Sequence, residues 1–234
     1  MPALFAAGLS VGNLILAALL LPESKPSRLS AAFARDVAPR GGGILQLIRR
    51  LGDRRLTQLC VLAFLFTFAL AALETTFALM VPRVYGYGAA GIGGLLAFAG
   101  LLQALAQGVF LGRLVQWLGE VRLVRVGAIV MGVGLAPLAA SSSRPLLFVL
   151  LALIAIGYGV GSPSLASLIS RGSAQDSQGG VLGLNQSALS LARVFGPIAG
   201  GLIYQPYGAA APYYGAAAVM LAALALGAGI EPAA

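Results

Sequence analysis

The stretch Gly179–Tyr204, GGVLGLNQSALSLARVFGPIAGGLIY, is long and apolar enough to cross a bilayer, yet carries one arginine, Arg193, near its middle and a Gly-Pro-x-x-Gly-Gly run soon after. An ionisable residue at membrane depth is costly and by default marks function. The surrounding composition agrees with this environment. Hydrophobic residues make up 59% of the chain and charged residues 9%, against roughly a quarter charged in soluble domains, and mean hydropathy is +0.93. These values describe a polytopic membrane protein. A net charge of +8 would suggest nucleic acid for a soluble domain, but here the basic residues cluster in short segments between apolar spans, so no nucleic-acid partner is expected. One cysteine, Cys60, permits neither an intrachain disulfide nor a cysteine metal cluster, and the absence of histidine removes imidazole ligands and bases. No cofactor, metal or catalytic residue is expected.

Walking outward, seven apolar spans emerge at about 3–21, 57–81, 89–111, 124–141, 146–166, 181–204 and 212–230. All should be helices, because a lipid-facing irregular backbone leaves its peptide groups unpaired and the spans lack the alternation of barrel strands. Twelve basic residues fall in connections on one side: Lys25, Arg28, Arg35, Arg40, Arg49, Arg50, Arg54, Arg55, Arg113, Arg122, Arg125 and Arg171. The opposite connections carry only Arg83 and Arg144, so the first side is expected to be cytoplasmic, with the N-terminus outside and the C-terminus inside. The first span has no charged segment ahead of it and reads as a helix that normally follows another. The division is therefore a leading helix over 1–21, a basic central loop over 22–56, a six-helix bundle over 57–230 and a short tail over 231–234. The loop holds Pro22, Pro26, Pro39 and the run Gly41–Gly43 before a basic stretch, Ile44–Leu51, that could lie on the membrane surface. The six later spans divide as three plus three, the inverted-repeat arrangement of many secondary transporters.

Three motifs carry a resemblance. Leu21-Pro22-Glu23-Ser24 stands at the start of the loop; Gly112-Arg113-Leu114-Val115-Gln116-Trp117-Leu118-Gly119-Glu120-Val121-Arg122 follows the third span; Gly196-Pro197-Ile198-Ala199-Gly200-Gly201 lies in the sixth. The chain resembles the C-terminal half of a major facilitator superfamily transporter, most like the tetracycline-efflux type of drug/proton antiporter. The first motif is similar to the end of that family's sixth helix, and the following spans to helices seven to twelve. The second is similar to the family's G-x-L-a-D-r-x-G-r-k-x loop: Gly112, Leu114, Gly119 and Arg122 fit, whereas Gln116 replaces the usual acid, and Glu120 and Val121 replace basic positions. It is expected to be a tight turn with a glycine at each end. The third is similar to the GPxxGG antiporter motif, which normally belongs to the symmetry-related fifth helix.

The resemblance implies all-α architecture, a bacterial-type inner membrane, a small-molecule substrate, protons as a possible coupling ion, and a cavity completed by an N-terminal six-helix half or a second copy. Polar residues within the spans are the cavity candidates. Gln186, Ser190 and Arg193 lie at i, i+4 and i+7, a stripe shared by Pro197. The stripe should face a water-filled cavity, or alternatively a neighbouring helix with Arg193 reaching backbone carbonyls or a partner there. Glu74, the one acid within a span, is the proton-carrier candidate. Its alternative is an interhelical pair beside Thr75 and Thr76, roughly 12 Å from a helix end at Pro82. Gln103 and Gln107, at i and i+4, form a second polar face for substrate or for helix association. Pro197 should bend its helix, while Gly196 with Gly200, and Gly157 with Gly161, form small faces for close helix packing. Tyr85, Tyr87, Trp117, Tyr204, Tyr207, Tyr213 and Tyr214 read as interfacial anchors. An enzyme is not expected, because serine-protease or metal-hydrolase chemistry lacks its histidine and one carboxylate makes no aspartyl dyad. The other reading is a truncated or split-gene product, or an assembly module without transport of its own.

Overall fold

The computed structural model describes residues 2–20, 54–138, 140–173 and 178–230. The Leu21–Ser24 motif, the surface stretch Ile44–Leu51, the 231–234 tail and nearly all of the central loop lie outside them. Two compact units divide the chain, Met1–Gln46 and Leu47–Ala234. The first holds one described helix, α1 (Pro2–Leu20), apolar along its length. The second holds six more: α2 (Arg54–Tyr85), α3 (Ala89–Leu118), α4 (Glu120–Leu138), α5 (Arg144–Arg171), α6 (Gln178–Tyr207) and α7 (Ala211–Ala228). Each of these six is long and apolar enough to cross a membrane. Among the described residues there is no strand, as a lipid solvent requires of a chain that satisfies its backbone by helix formation.

The helix ends follow from local chemistry. Pro145 and Pro212 sit in the first turns of α5 and α7, where no amide hydrogen is needed. α2, α3 and α6 end before Gly86, Gly119 and Gly208, all at positive φ. The amide of each glycine donates to the carbonyl four residues back, satisfying one of the orphan acceptors of the last turn.

α2 packs on α6, α7 and α5; α4 packs on α5 and α7; α3 packs on α5. Exchanging α2 with α5, α3 with α6 and α4 with α7 maps these main contacts onto one another, α2/α6 becoming α5/α3 and α2/α7 becoming α5/α4, while a lighter α5/α6 contact has no comparable α2/α3 counterpart. The three-plus-three division is therefore present in the packing. Two glycine seams set the closest approaches. A Cβ on Gly127 of α4 would lie 2.7 Å from the Gly157 carbonyl oxygen, and one on Gly157 would lie 2.6 Å from the Met131 amide nitrogen. On the other seam, a Cβ on Gly196 would lie 2.8 Å from the Phe68 carbonyl oxygen and one on Gly200 3.1 Å from that of Ala72. The most apolar stretch of α2 is 61% buried, whereas those of α3 and α6 are 11% and 22% buried. α3 and α6, counterparts under the exchange, thus carry the open faces of the bundle.

The third span differs from its expected form. α3 does not stop at residue 111 but runs to Leu118, so Gly112 is a helix-interior residue with open space around it, and Gly119 alone reverses the chain. Within α3 the five residues Ala106–Phe110 form a π-helical turn. α2 likewise continues through Pro82 to Tyr85, because a proline near the end disturbs few hydrogen bonds. That extension places Glu74 about 16 Å from the helix end, closer to the middle than its distance from Pro82 implies.

Candidate functional site on the open face of α2 and α6

α6 turns a mixed face toward α2. Val181, Asn185, Ala192, Gly196, Gly200 and Tyr204 are buried, and glycine at 196 and 200 lets the backbones meet. The stripe Gln186, Ser190 and Arg193 lies about a quarter turn away, given about 100° per residue, and all three residues are exposed. The Ser190 hydroxyl donates to the Gln186 carbonyl at 2.9 Å, which accounts for its donor without an interhelical partner. Pro197 is half-buried within an unbroken helix.

Across the seam, Phe68, Ala71, Ala72 and Thr76 of α2 meet Gly196 and Gly200. Glu74 follows Ala71 by three residues and is exposed, with the Arg193 charge within electrostatic reach of its carboxyl. Its neighbours are occupied locally: the Thr75 hydroxyl donates to the Ala71 carbonyl at 3.1 Å and that of Thr76 to the Ala72 carbonyl at 2.8 Å. An acid and a base therefore flank one helix seam on an open surface that also includes Leu79, Val194 and Ile198.

The structure does not place Gln103 and Gln107 on that seam. α3 packs on α5, where Gln103 sits beside Gly159, whose added Cβ would lie 3.2 Å from the Gln103 carbonyl oxygen. Gln107 is exposed within the π turn. Gly157 packs on α4, and an added Cβ at Gly161 would collide with the Phe66 ring. Gly201 has open space around it, unlike its neighbour Gly200. Arg122 is exposed just beyond the Gly119 turn.

Sequence reasoning missed several polar roles. Asn185 is buried on α6 with its Oδ1 unpartnered, and Thr67 is buried on α2 with its hydroxyl unpartnered. Glu120 accepts from the Ser167 hydroxyl at 2.6 Å and pairs with Arg171 at 3.3 Å. Arg125, counted only as a loop charge, donates to the carbonyls of Gly227, Ala228 and Ile230 at 2.9, 3.1 and 2.7 Å, and so caps α7. At the other end, Tyr85, Tyr204 and Tyr213 are buried rather than anchored at an interface. Arg83 donates to the Tyr204 hydroxyl at 3.2 Å and Arg144 to the Tyr85 carbonyl at 3.1 Å, with Arg144 also over the Tyr87 ring. Trp117, Tyr207 and Tyr214 are exposed, as anchors would be.

The Major Facilitator Superfamily model matches residues 1–193 and, in a second overlapping match, 85–233. Multidrug resistance protein 1 of Bacillus subtilis (strain 168) is 28% identical over 138 residues, covering 59% of this chain and 35% of that protein. Tetracycline resistance protein, class E, of Escherichia coli is 34% identical over 113 residues, covering 48% of this chain and 28% of that protein. The crystal structure of the human organic anion transporter MFSD10 (TETRAN) superposes with a TM-score of 0.70 at 25% identity, over 74% of this chain and 40% of that one. The chain thus spans about a third of the length of the curated relatives it matches. With its all-helical bundle, three-plus-three packing and family match over most of its length, this multi-pass membrane chain belongs to the Major Facilitator Superfamily of transporters.

Proposed function

We propose that the chain forms one wall of the translocation path of a secondary carrier that exports a small molecule in exchange for protons. The observation carrying this reading is the exposed pair Glu74 and Arg193 astride the α2/α6 seam, where water or a second six-helix half would have to cover them, since charges on a lipid-facing surface are costly. Glu74 is the proton carrier, Arg193 sets the charge it senses, and Gln186 and Ser190 offer substrate hydrogen bonds on the same face. Relatives named for multidrug and tetracycline resistance support a small-molecule export class. The arginine-rich end of the bundle is cytoplasmic and the membrane is a bacterial-type inner membrane. The cavity is completed by an N-terminal six-helix half or a second copy.

The test is proton-coupled substrate flux in proteoliposomes containing this chain together with an N-terminal half. Glu74→Gln should abolish coupling while leaving assembly intact, and unchanged coupled flux would remove Glu74 from that role.

A further inference from the structure

The arginine-rich end of the bundle contains a crevice separate from the α2/α6 seam. The Gly119 turn, the start of α4 and the end of α5 enclose a cavity of about 390 Å³, within the range of about 300–1,000 Å³ common for ligand pockets. A second cavity of about 170 Å³ shares Glu120, Leu168 and Arg171 with it and extends to the start of α2 at Arg55, Leu56 and Leu59. Arg55, Arg122 and Arg171 supply the cations of the combined lining, and Leu56, Leu59, Leu118, Val121 and Leu168 supply its apolar walls.

Among the described residues, the one lining carboxylate is already matched inside the protein. Glu120 accepts from Ser167 and pairs with Arg171, and its side chain is 9% exposed while that of Arg171 is 74% exposed. The described lining thus holds three arginines and one carboxylate, at the helix ends of a membrane-spanning bundle, where lipid headgroups lie. We propose that this crevice seats an anionic phospholipid, with its phosphate held by Arg122 and the exposed Arg171 and the start of an acyl chain against the leucine walls. Basic pockets between transmembrane helices bind anionic headgroups by this chemistry. A free phosphate would satisfy the arginines but leave the apolar walls in water, so the lipid is the occupant that uses both halves of the lining. The proposal requires membrane insertion and is independent of the transport reading.

The experiment compares binding of phosphatidylglycerol, phosphatidylcholine with the same acyl chains, and glycerol 1-phosphate to the full purified chain, by native mass spectrometry from detergent. Phosphatidylglycerol should bind more tightly than either alternative. Arg122→Gln, which changes an exposed side chain, should weaken it about fivefold, the effect of one arginine on an anionic headgroup. Arg113→Gln, at the same end but outside the crevice, should leave binding unchanged. Equal binding of the two lipids would overturn the site. Equal losses in the Arg113 and Arg122 variants, or glycerol 1-phosphate binding as tightly as the lipid, would overturn it as well.

Discussion

At the scale of single residues, the α6 glycines separate packing from composition. Gly196, Gly200 and Gly201 belong to one motif, but a Cβ at Gly196 would lie 2.8 Å from the Phe68 carbonyl oxygen and 2.9 Å from the Ala71 Cβ, while one at Gly201 would meet nothing within 4 Å. Gly196→Ala should therefore force α6 off α2 at a cost of about 1–3 kcal/mol. That exceeds the roughly 1 kcal/mol by which alanine is favoured over glycine in a helix. Gly201→Ala should be neutral or slightly stabilising for the same helical reason. Thermal unfolding of both variants in detergent checks the pair, and equal shifts would remove the distinction. The candidates Gln186, Ser190 and Arg193 were legible because a polar stripe in an apolar span stands out in sequence. Asn185, one residue before Gln186, was not: its burial depends on which side of α6 meets α2, and nothing local encodes that choice.

Among the elements, α3 departs furthest from the span read in its sequence. Its apolar run and the glycines of its loop motif suggested a helix ending near 111 and a turn bounded by Gly112 and Gly119. Leu111–Leu118 is instead helical, because it holds no proline, its single glycine costs only about 1 kcal/mol in a helix, and Gly119 at φ 76° supplies the reversal by itself. The departure matters for the motif's substitutions. Glu120, standing where a basic residue is usual, joins the turn to α5 through Ser167 and Arg171, and as the first residue of α4 it also lies favourably at a helix N-terminus. α7 shows the opposite dependence, since its own sequence provides no basic residue in its last turn. Arg125 of α4 supplies the missing donors, and Gln58 of α2 donates to the Leu226 carbonyl beside it. Arg125→Ala should leave three carbonyls with water or nothing, costing about 1–3 kcal/mol. Hydrogen exchange should quicken in the last turn of α7 and not in its first, and unchanged exchange there would show that Arg125 is dispensable as a cap.

For the whole molecule, the packing is that of two related helix triplets whose least enclosed members, α3 and α6, present open faces. If a second half covers the α6 face, a cysteine at exposed Ser190 should react with a water-soluble maleimide quickly in the chain alone and slowly in the assembled complex. The native Cys60 is buried and gives a low background. Equal rates would mean that α6 faces something other than the partner. Hydropathy, the clustering of arginines and three short motifs determined the class, the number of spans and the family, because lipid demands helices of fixed length from any sequence that crosses it, and that demand is met residue by residue along the chain. The tertiary structure decided which polar groups lie near one another. Glu74 and Arg193 come within electrostatic reach of each other because Gly196 and Gly200 let α6 close on α2, while Gln103 and Gln107 stand apart from them because α3 packs on α5. Helix rotation and approach depend on contacts between residues far apart in the chain, which periodicity along a single span cannot specify.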